Sequence, residues 1–167
     1  LDLQRVYAAG HSAGGQLVLW LATRARVPND SEIYRPAPLP IRGVLGLGAV
    51  TDLYEYRKGP GKGCHGSVDQ VMGGSPEKFP RRYAETSPRQ LLPLGVPQIF
   101  IDGADDPIVD PASVRAYVEA ANKAGDHAVM LTLPGAGHFE AAGPLPATEK
   151  VFEQALHLLI PPAADHR

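Results

Sequence analysis

Three residues in this chain have the types and the order that nucleophilic acyl chemistry needs: Ser12, an aspartate at 105 or 106, and His138. A serine hydroxyl is a poor nucleophile unless a base takes its proton, and that base needs a carboxylate to orient it. Ser12 lies in Gly10-His11-Ser12-Ala13-Gly14-Gly15, a G-x-S-x-G run. A serine presented on a sharp strand-to-helix turn needs small neighbours two places away on each side, and Gly10 and Gly14 supply them. The Ala13 N–H would then sit at a helix N-terminus, facing the place where an oxyanion forms. The carboxylates lie in Asp102-Gly103-Ala104-Asp105-Asp106-Pro107-Ile108-Val109, and the histidine in Pro134-Gly135-Ala136-Gly137-His138-Phe139. Each has a bland reading alone: a glycine-rich turn, a cap carboxylate, a loop histidine bonded to backbone. Their joint order, each just after an apolar run, favours a Ser-Asp-His constellation.

The elements that must position these residues can be read from the pattern. Val6–Ala9 is a short apolar run, read as a buried strand. Leu17, Trp20, Leu21 and Arg24 recur at helical spacing, which predicts a helix from Ala13 to about Arg26. Residues 28–40 are rich in proline and polar types and read as loop. Ile41–Val50 predicts a second strand and Val96–Asp102 a third. Asp110 followed by Pro111 predicts a helix start, with Val114, Tyr117, Val118 and Ala121 as its apolar stripe and Gly125 as its stop. Ala128–Leu133 predicts a fourth strand. Glu149–Ile160 predicts a last helix, ended by Pro161-Pro162. Strands and helices alternate, and the strands are continuously apolar, so the fold class is α/β with a mostly parallel sheet flanked by helices. Ligand sites in such sheets lie at the carboxyl ends of the strands, where the three loops would converge. Residues 51–93 are the least regular stretch, with one short helix expected at Ser67–Met72. A connection that long is read as an irregular cover over the site.

Composition narrows the class. The 167 residues fit one domain, with 44% hydrophobic and 20% charged residues, a globular balance. The formal charge of −2 argues against nucleic acid or an anionic membrane surface as partner. No apolar run approaches the ~20 residues of a membrane span. The single cysteine, Cys64, excludes an internal disulfide and a cysteine-based zinc site.

Gly10–Gly15, Gly103–Val109 and Gly135–Phe139 resemble the serine-hydrolase motifs of the α/β-hydrolase superfamily, and the resemblance runs from Arg5 to about Leu159. It implies that the acid is Asp106, at the fourth position of G-x-x-D-x-x-V with Val109 closing the motif, and that Asp105 is a turn or surface carboxylate. Together with Ala49-Val50-Thr51-Asp52-Leu53, the set is similar to a bacterial esterase group close to kynurenine-formamidase-like and prolyl-oligopeptidase-like enzymes. The activity implied is hydrolysis of a carboxylic ester through an acyl-enzyme, with Ser12 as nucleophile, His138 as base, Asp106 as its orienting acid and Ala13 N–H as an oxyanion donor. The partner implied is a small-molecule ester or amide, with no cofactor or metal. An amide hydrolase, whether formamidase or peptidase, would use the same residues; a non-catalytic fragment or binding module is the alternative from another class. In the superfamily several strands and an H-G-G-type loop precede the elbow. Here the elbow follows the first apolar run, so residues 1–167 are expected to form one partial catalytic domain, the C-terminal half of the fold, with the second oxyanion donor outside it.

Other residues are weaker candidates. His11 lines the pocket or packs under the turn. Asp52 caps a turn or contacts substrate. Tyr54 and Tyr56 line an acyl pocket or cover core. Cys64 has no positioned base beside it. Glu140 tunes His138 or stays on the surface.

Overall fold

The computed structural model describes residues 2–60, 64–143, 146 and 148–160. Among the described residues four strands form one sheet: β1 (Ala8–His11), β2 (Val44–Leu47), β3 (Gln98–Gly103) and β4 (Ala128–Leu133). Their spatial order is β1-β2-β3-β4, and every neighbouring pair is parallel. The main helices are α1 (Ala13–Leu21), α5 (Pro111–Lys123) and α6 (Glu149–Leu159). Between β2 and β3 lie three short ones, α2 (Leu53–Tyr56), α3 (Ser67–Met72) and α4 (Pro80–Thr86). None of the described helices is long and apolar enough to cross a membrane.

The alternation of side chains along each strand divides the core in two. Val44, Phe100 and Ala128 face Val18 and Leu19 of α1 and Val114, Tyr117 and Ala121 of α5. Leu45, Leu47, Ile99, Ile101 and Leu133 face Ala155 and Leu159 of α6. β2 and β3 are buried along their whole length, which is why they read as continuous apolar runs. β1, expected to be buried, is half-buried with Ala9 exposed, because β2 is its only strand neighbour among the described residues. β4 is half-buried with Thr132 exposed. The start of β3 is pinned by a buried polar network. Tyr117 Oη donates to Gln98 Oε1 at 2.9 Å, and Gln98 Nε2 donates to Asp126 Oδ2 at 2.9 Å. Asp126 also accepts from the Leu94 and Gly95 N–H groups.

Several boundaries differ from the sequence expectation. β1 begins at Ala8 and runs through His11 rather than Val6–Ala9, because its pairing partner β2 sets its register: Ala8 opposes Val44 and His11 opposes Leu47. α1 stops at Leu21, short of Arg26. The Thr23 hydroxyl and N–H both turn back to the Trp20 carbonyl, and Arg24–Arg26 form a separate 3₁₀ turn. Among the described residues of 51–93 there are three short α-helices and a 3₁₀ turn at Pro88–Leu91 rather than one helix, and Ser67–Met72 is the one that the pattern predicts. α6 ends at Leu159; the expected stop at Pro161-Pro162 lies outside the described residues.

Candidate active site

Ser12 stands between β1 and α1 with φ 56° and ψ −118°. A positive φ at a non-glycine residue is strained by about 1–3 kcal/mol and persists only where its surroundings hold it. Here three backbone bonds hold it. Ser12 N–H donates to the Leu47 carbonyl at 2.9 Å, while the Ser12 carbonyl accepts from Val50 N–H and Gln16 N–H at 3.2 Å each. Gly10 allows the turn to close, since a Cβ there would run into the Gly14 carbonyl. Serine is among the best N-cap residues, yet the Ser12 hydroxyl does not cap α1. It makes no hydrogen bond to any described residue, and it borders a cavity of about 170 Å³.

The loops after β3 and β4 are stapled together. Ala104 N–H donates to the Leu133 carbonyl and Asp105 N–H to the Ala136 carbonyl, both at 2.9 Å. That brings His138 Nδ1 to 2.7 Å from Asp106 Oδ2. Both side chains are buried. Asp106 Oδ1 accepts from the Ile108 and Val109 N–H groups at 2.8 and 2.9 Å. One oxygen therefore fixes the acid's own loop and the other holds the imidazole. A carboxylate accepts, so Nδ1 carries the proton and Nε2 is left as the basic nitrogen. Asp105, one residue earlier, is exposed.

The loop after β4 also reaches back across the sheet edge towards β1. His11 Nε2 donates to the His138 carbonyl at 3.0 Å, and the two rings lie 4.5 Å apart. Gly48, at the end of β2 with φ +50°, sits under the imidazole; a Cβ there would stand 3.1 Å from His138 Nδ1. The structure thus brings Asp106 and His138 into direct contact and places Ser12 one residue from the histidine that braces them. The Ser12 hydroxyl and His138 are not hydrogen-bonded to each other in this state.

The weaker candidates separate. Asp52 Oδ1 accepts from Tyr54 N–H at 2.9 Å and from Glu55 N–H at 3.4 Å, so Asp52 is the N-cap of α2. Tyr54 packs on Tyr83, ring to ring at 5.2 Å, and neither Asp52 nor Tyr54 lines the cavity beside Ser12. Tyr56 does. Two residues apart on a helix point to different sides: both rings pack on the core, and Tyr56 is the one turned towards the cavity. Glu140 accepts from Gly137 N–H at 3.0 Å, which braces the loop that carries His138.

Some participants escape a reading of motifs. Val68, Val71 and Met72 of α3 wall the cavity with Leu53 and Val50. Their spacing of three and four is a helical stripe, a signal the sequence does carry. Asp102, at the end of β3, is 1% exposed, and neither of its carboxylate oxygens has a hydrogen-bond partner among the described residues. Burial, with the nearby Asp106 charge as a smaller contribution, pushes its carboxyl up to about 7, so it holds its proton in mildly acidic solution.

Neither a protein-family model nor a curated protein sequence matches the chain. Solved structures do. A truncated carbohydrate esterase from gut microbiota superposes with a TM-score of 0.73 at 14% identity, over 95% of this chain and 61% of that one. Esterase 2 of Thermogutta terrifontis, phosphonylated by sarin, gives 0.68 at 23% identity, over 97% and 60%. Puromycin hydrolase gives 0.64 at 24% identity, over 94% and 22%. The chain spans about 60% of the length of these two esterases and 22% of puromycin hydrolase. Four parallel strands among the described residues, with helices on both faces of the sheet, superposed on these enzymes over 94–97% of this chain, give it the α/β-hydrolase fold.

Proposed function

We propose that this chain carries the catalytic residues of a serine hydrolase that cleaves a carboxylic ester through an acyl-enzyme. The observation that carries the reading is the buried His138–Asp106 pair at 2.7 Å, joined through His11 to a strained serine whose hydroxyl has no hydrogen-bond partner among the described residues. In this reading Ser12 Oγ attacks the ester carbonyl carbon while His138 Nε2 takes the hydroxyl proton. The tetrahedral oxyanion points at the N-terminus of α1 and its Ala13 N–H. Collapse breaks the bond to the alcohol oxygen, which leaves with the proton returned by His138. Water, deprotonated by the same nitrogen, then hydrolyses the acyl-enzyme. Asp106 keeps the imidazole in its Nδ1–H form and stabilises the imidazolium. The lack of a Ser12–His138 hydrogen bond is compatible with this, because catalytic hydrogen bonds often tighten only with substrate bound. Residues 51–93 supply the wall of the cavity and act as the cover of the site.

The cavity beside Ser12 favours an ester with an apolar acyl group, since Val50, Leu53, Val68, Val71 and Met72 line it. The structural likeness to puromycin hydrolase keeps amide hydrolysis as the second reading. The test is labelling with a fluorophosphonate probe, together with steady-state assay of p-nitrophenyl esters and matching anilides. Wild type is labelled at Ser12 and cleaves esters faster than anilides; Ser12→Ala loses labelling and turnover. Labelling that survives Ser12→Ala, at Ser67 for instance, rejects the assignment, and faster anilide cleavage rejects the ester reading.

A further inference from the structure

The cavity beside Ser12 is small, about 170 Å³. An apolar cavity of roughly 150 Å³ takes one benzene-sized molecule, so this one holds an acyl chain of about six carbons or fewer. A second cavity of about 700 Å³ runs along the outer side of α1, over Leu17, Trp20 and Phe79. Gln16, Val71 and Met72 border both cavities. Two of those three belong to the C-terminal end of α3: Val71 is exposed at the rim of both, and Met72 is the half-buried side chain between the short pocket and the long one.

α3 cannot hold that position by itself. It has six residues, no side-chain cap at its N-terminus, and a left-handed Gly73 at its end. A helix that short is not stable without tertiary support. Its main tie is Asp69. Arg57 Nε donates to Asp69 Oδ1 and Arg57 Nη2 to Oδ2, each at 2.6 Å. Tyr83 Oη, fully buried on α4, donates to Oδ1 at 2.5 Å and approaches the Gly74 carbonyl at 3.1 Å. One carboxylate therefore joins the end of α2, the middle of α3 and the core of α4. Arg82 adds a bond to the Met72 carbonyl at 2.9 Å.

We propose that Asp69 is a positioning residue for substrate selectivity: by tying α3 to Arg57 and Tyr83 it keeps the Met72 end of that helix between the two cavities and so limits the length of the acyl chain accepted at Ser12. The selectivity claim rests on the ester-hydrolase reading above; the partition itself does not. The Arg57 and Tyr83 hydrogen bonds hold the Asp69 carboxyl down at about 2, so the tie persists through the whole working range of pH. Without it, α3 moves, the two cavities join and long chains enter.

The test uses Asp69→Asn, which keeps the side-chain shape but replaces one charged acceptor by a donor facing Arg57. Tyr83→Phe removes a single hydroxyl and serves if Asp69→Asn does not fold, with melting by circular dichroism as the check. The first readout is kcat/KM across p-nitrophenyl acetate, butyrate, hexanoate and octanoate. Wild type falls by about tenfold or more once the chain outgrows the pocket, the scale of a methylene with no room. In the variant the octanoate-to-butyrate ratio rises by about tenfold, through KM, while kcat on acetate moves less than about threefold. The second readout does not need turnover. Trp20 is the only tryptophan in the chain and lines the larger cavity, so octanoate quenches or shifts its fluorescence in the variant and not in wild type, and butyrate does so in neither. A folded variant with the wild-type chain-length profile and an unresponsive Trp20 overturns the proposal. No ester turnover and no Ser12 labelling in wild type, with the Trp20 response present in the variant, overturns the hydrolase reading and leaves the partition standing.

Discussion

Gly48 lies against the His138 imidazole, so closely that a methyl group on it would stand 3.1 Å from Nδ1, 3.2 Å from Cε1 and 3.4 Å from Asp106 Oδ2. Its φ of +50° is one that side chains rarely adopt. Gly48→Ala therefore meets two obstacles, backbone strain of about 1–3 kcal/mol and a push on the His–Asp pair. A displacement of the order of 1 Å at a reacting group costs up to about 10²-fold in rate. The expected result is a kcat lowered by about 10- to 100-fold in a protein that still melts cooperatively. Unchanged kcat in a folded Gly48→Ala variant would separate this pair from the reaction.

Asp106 and Asp105 are adjacent in sequence and opposite in setting, one buried against His138, the other exposed. Asp106→Asn is expected to lower kcat by roughly 10⁴, the cost of holding the base in the wrong tautomer. Asp105→Asn touches no buried partner and is expected to cost about tenfold or less, as surface changes do. Steady-state kinetics on one ester ranks the two, and the reverse ranking would move the acid to Asp105.

Asp102 gives the protein a pH dependence of defined sign. Its carboxyl ionises near 3.8 when unperturbed and near 7 in the folded chain. Between those values the folded state holds a proton that the unfolded state has released, so stability falls as pH rises through this window. At about 1.36 kcal/mol per pKa unit, the loss is at most about 4 kcal/mol. Asp102→Asn should flatten the dependence between pH 4 and 7 and stabilise the protein at pH 8 relative to wild type. Urea midpoints at pH 4.5, 6 and 8 measure it. A wild-type-to-variant difference that is constant across the three would show that Asp102 does not change charge in this range.

His11 braces the loop of His138 by a bond to its carbonyl and by ring contact. His11→Ala is expected to lower kcat by about tenfold, a net hydrogen bond of about 1 kcal/mol and some loss of alignment. KM should change less than kcat. A pure KM effect would instead place His11 against the substrate.

The strained turn at Ser12 and the loops that carry Asp106 and His138 are legible in the sequence because their constraints are local. Gly10 is what the closed turn needs, with Gly15 as the second close approach, against Ala49, whereas a side chain at Gly14 would meet nothing. The loops with Asp106 and His138 each follow an apolar run, β3 and β4. Strand limits are not local. β1 starts at Ala8 because β2 pairs with it there, and nothing in Val6 or Tyr7 announces that. Of the short helices of residues 51–93 only α3 carries a spacing that registers; α2 and α4 are fixed by contacts across the chain, such as Ser87 with Leu53 and Tyr83 with Asp69. Asp52 and Tyr54 follow the same lesson: a carboxylate before a short helix satisfied backbone N–H groups, and the ring two residues later turned onto Tyr83. Asp102 is unexpected, since strands seldom end in a buried carboxyl without a partner.

The placement of α3 has a consequence for how such a protein can diversify. Ser12, Asp106 and His138 hang from strand ends that the core supports, whereas Val68, Val71 and Met72 ride on α3, a six-residue helix in the insertion between β2 and β3 whose main side-chain tie is one carboxylate. Substitutions in the insertion reshape what enters without loading the sheet, so new preferences can be sampled at little risk to the reacting groups. A saturation library at positions 68, 71 and 72 should therefore yield many folded members that still label at Ser12, while an equal library at positions 10, 48 and 103 should yield few.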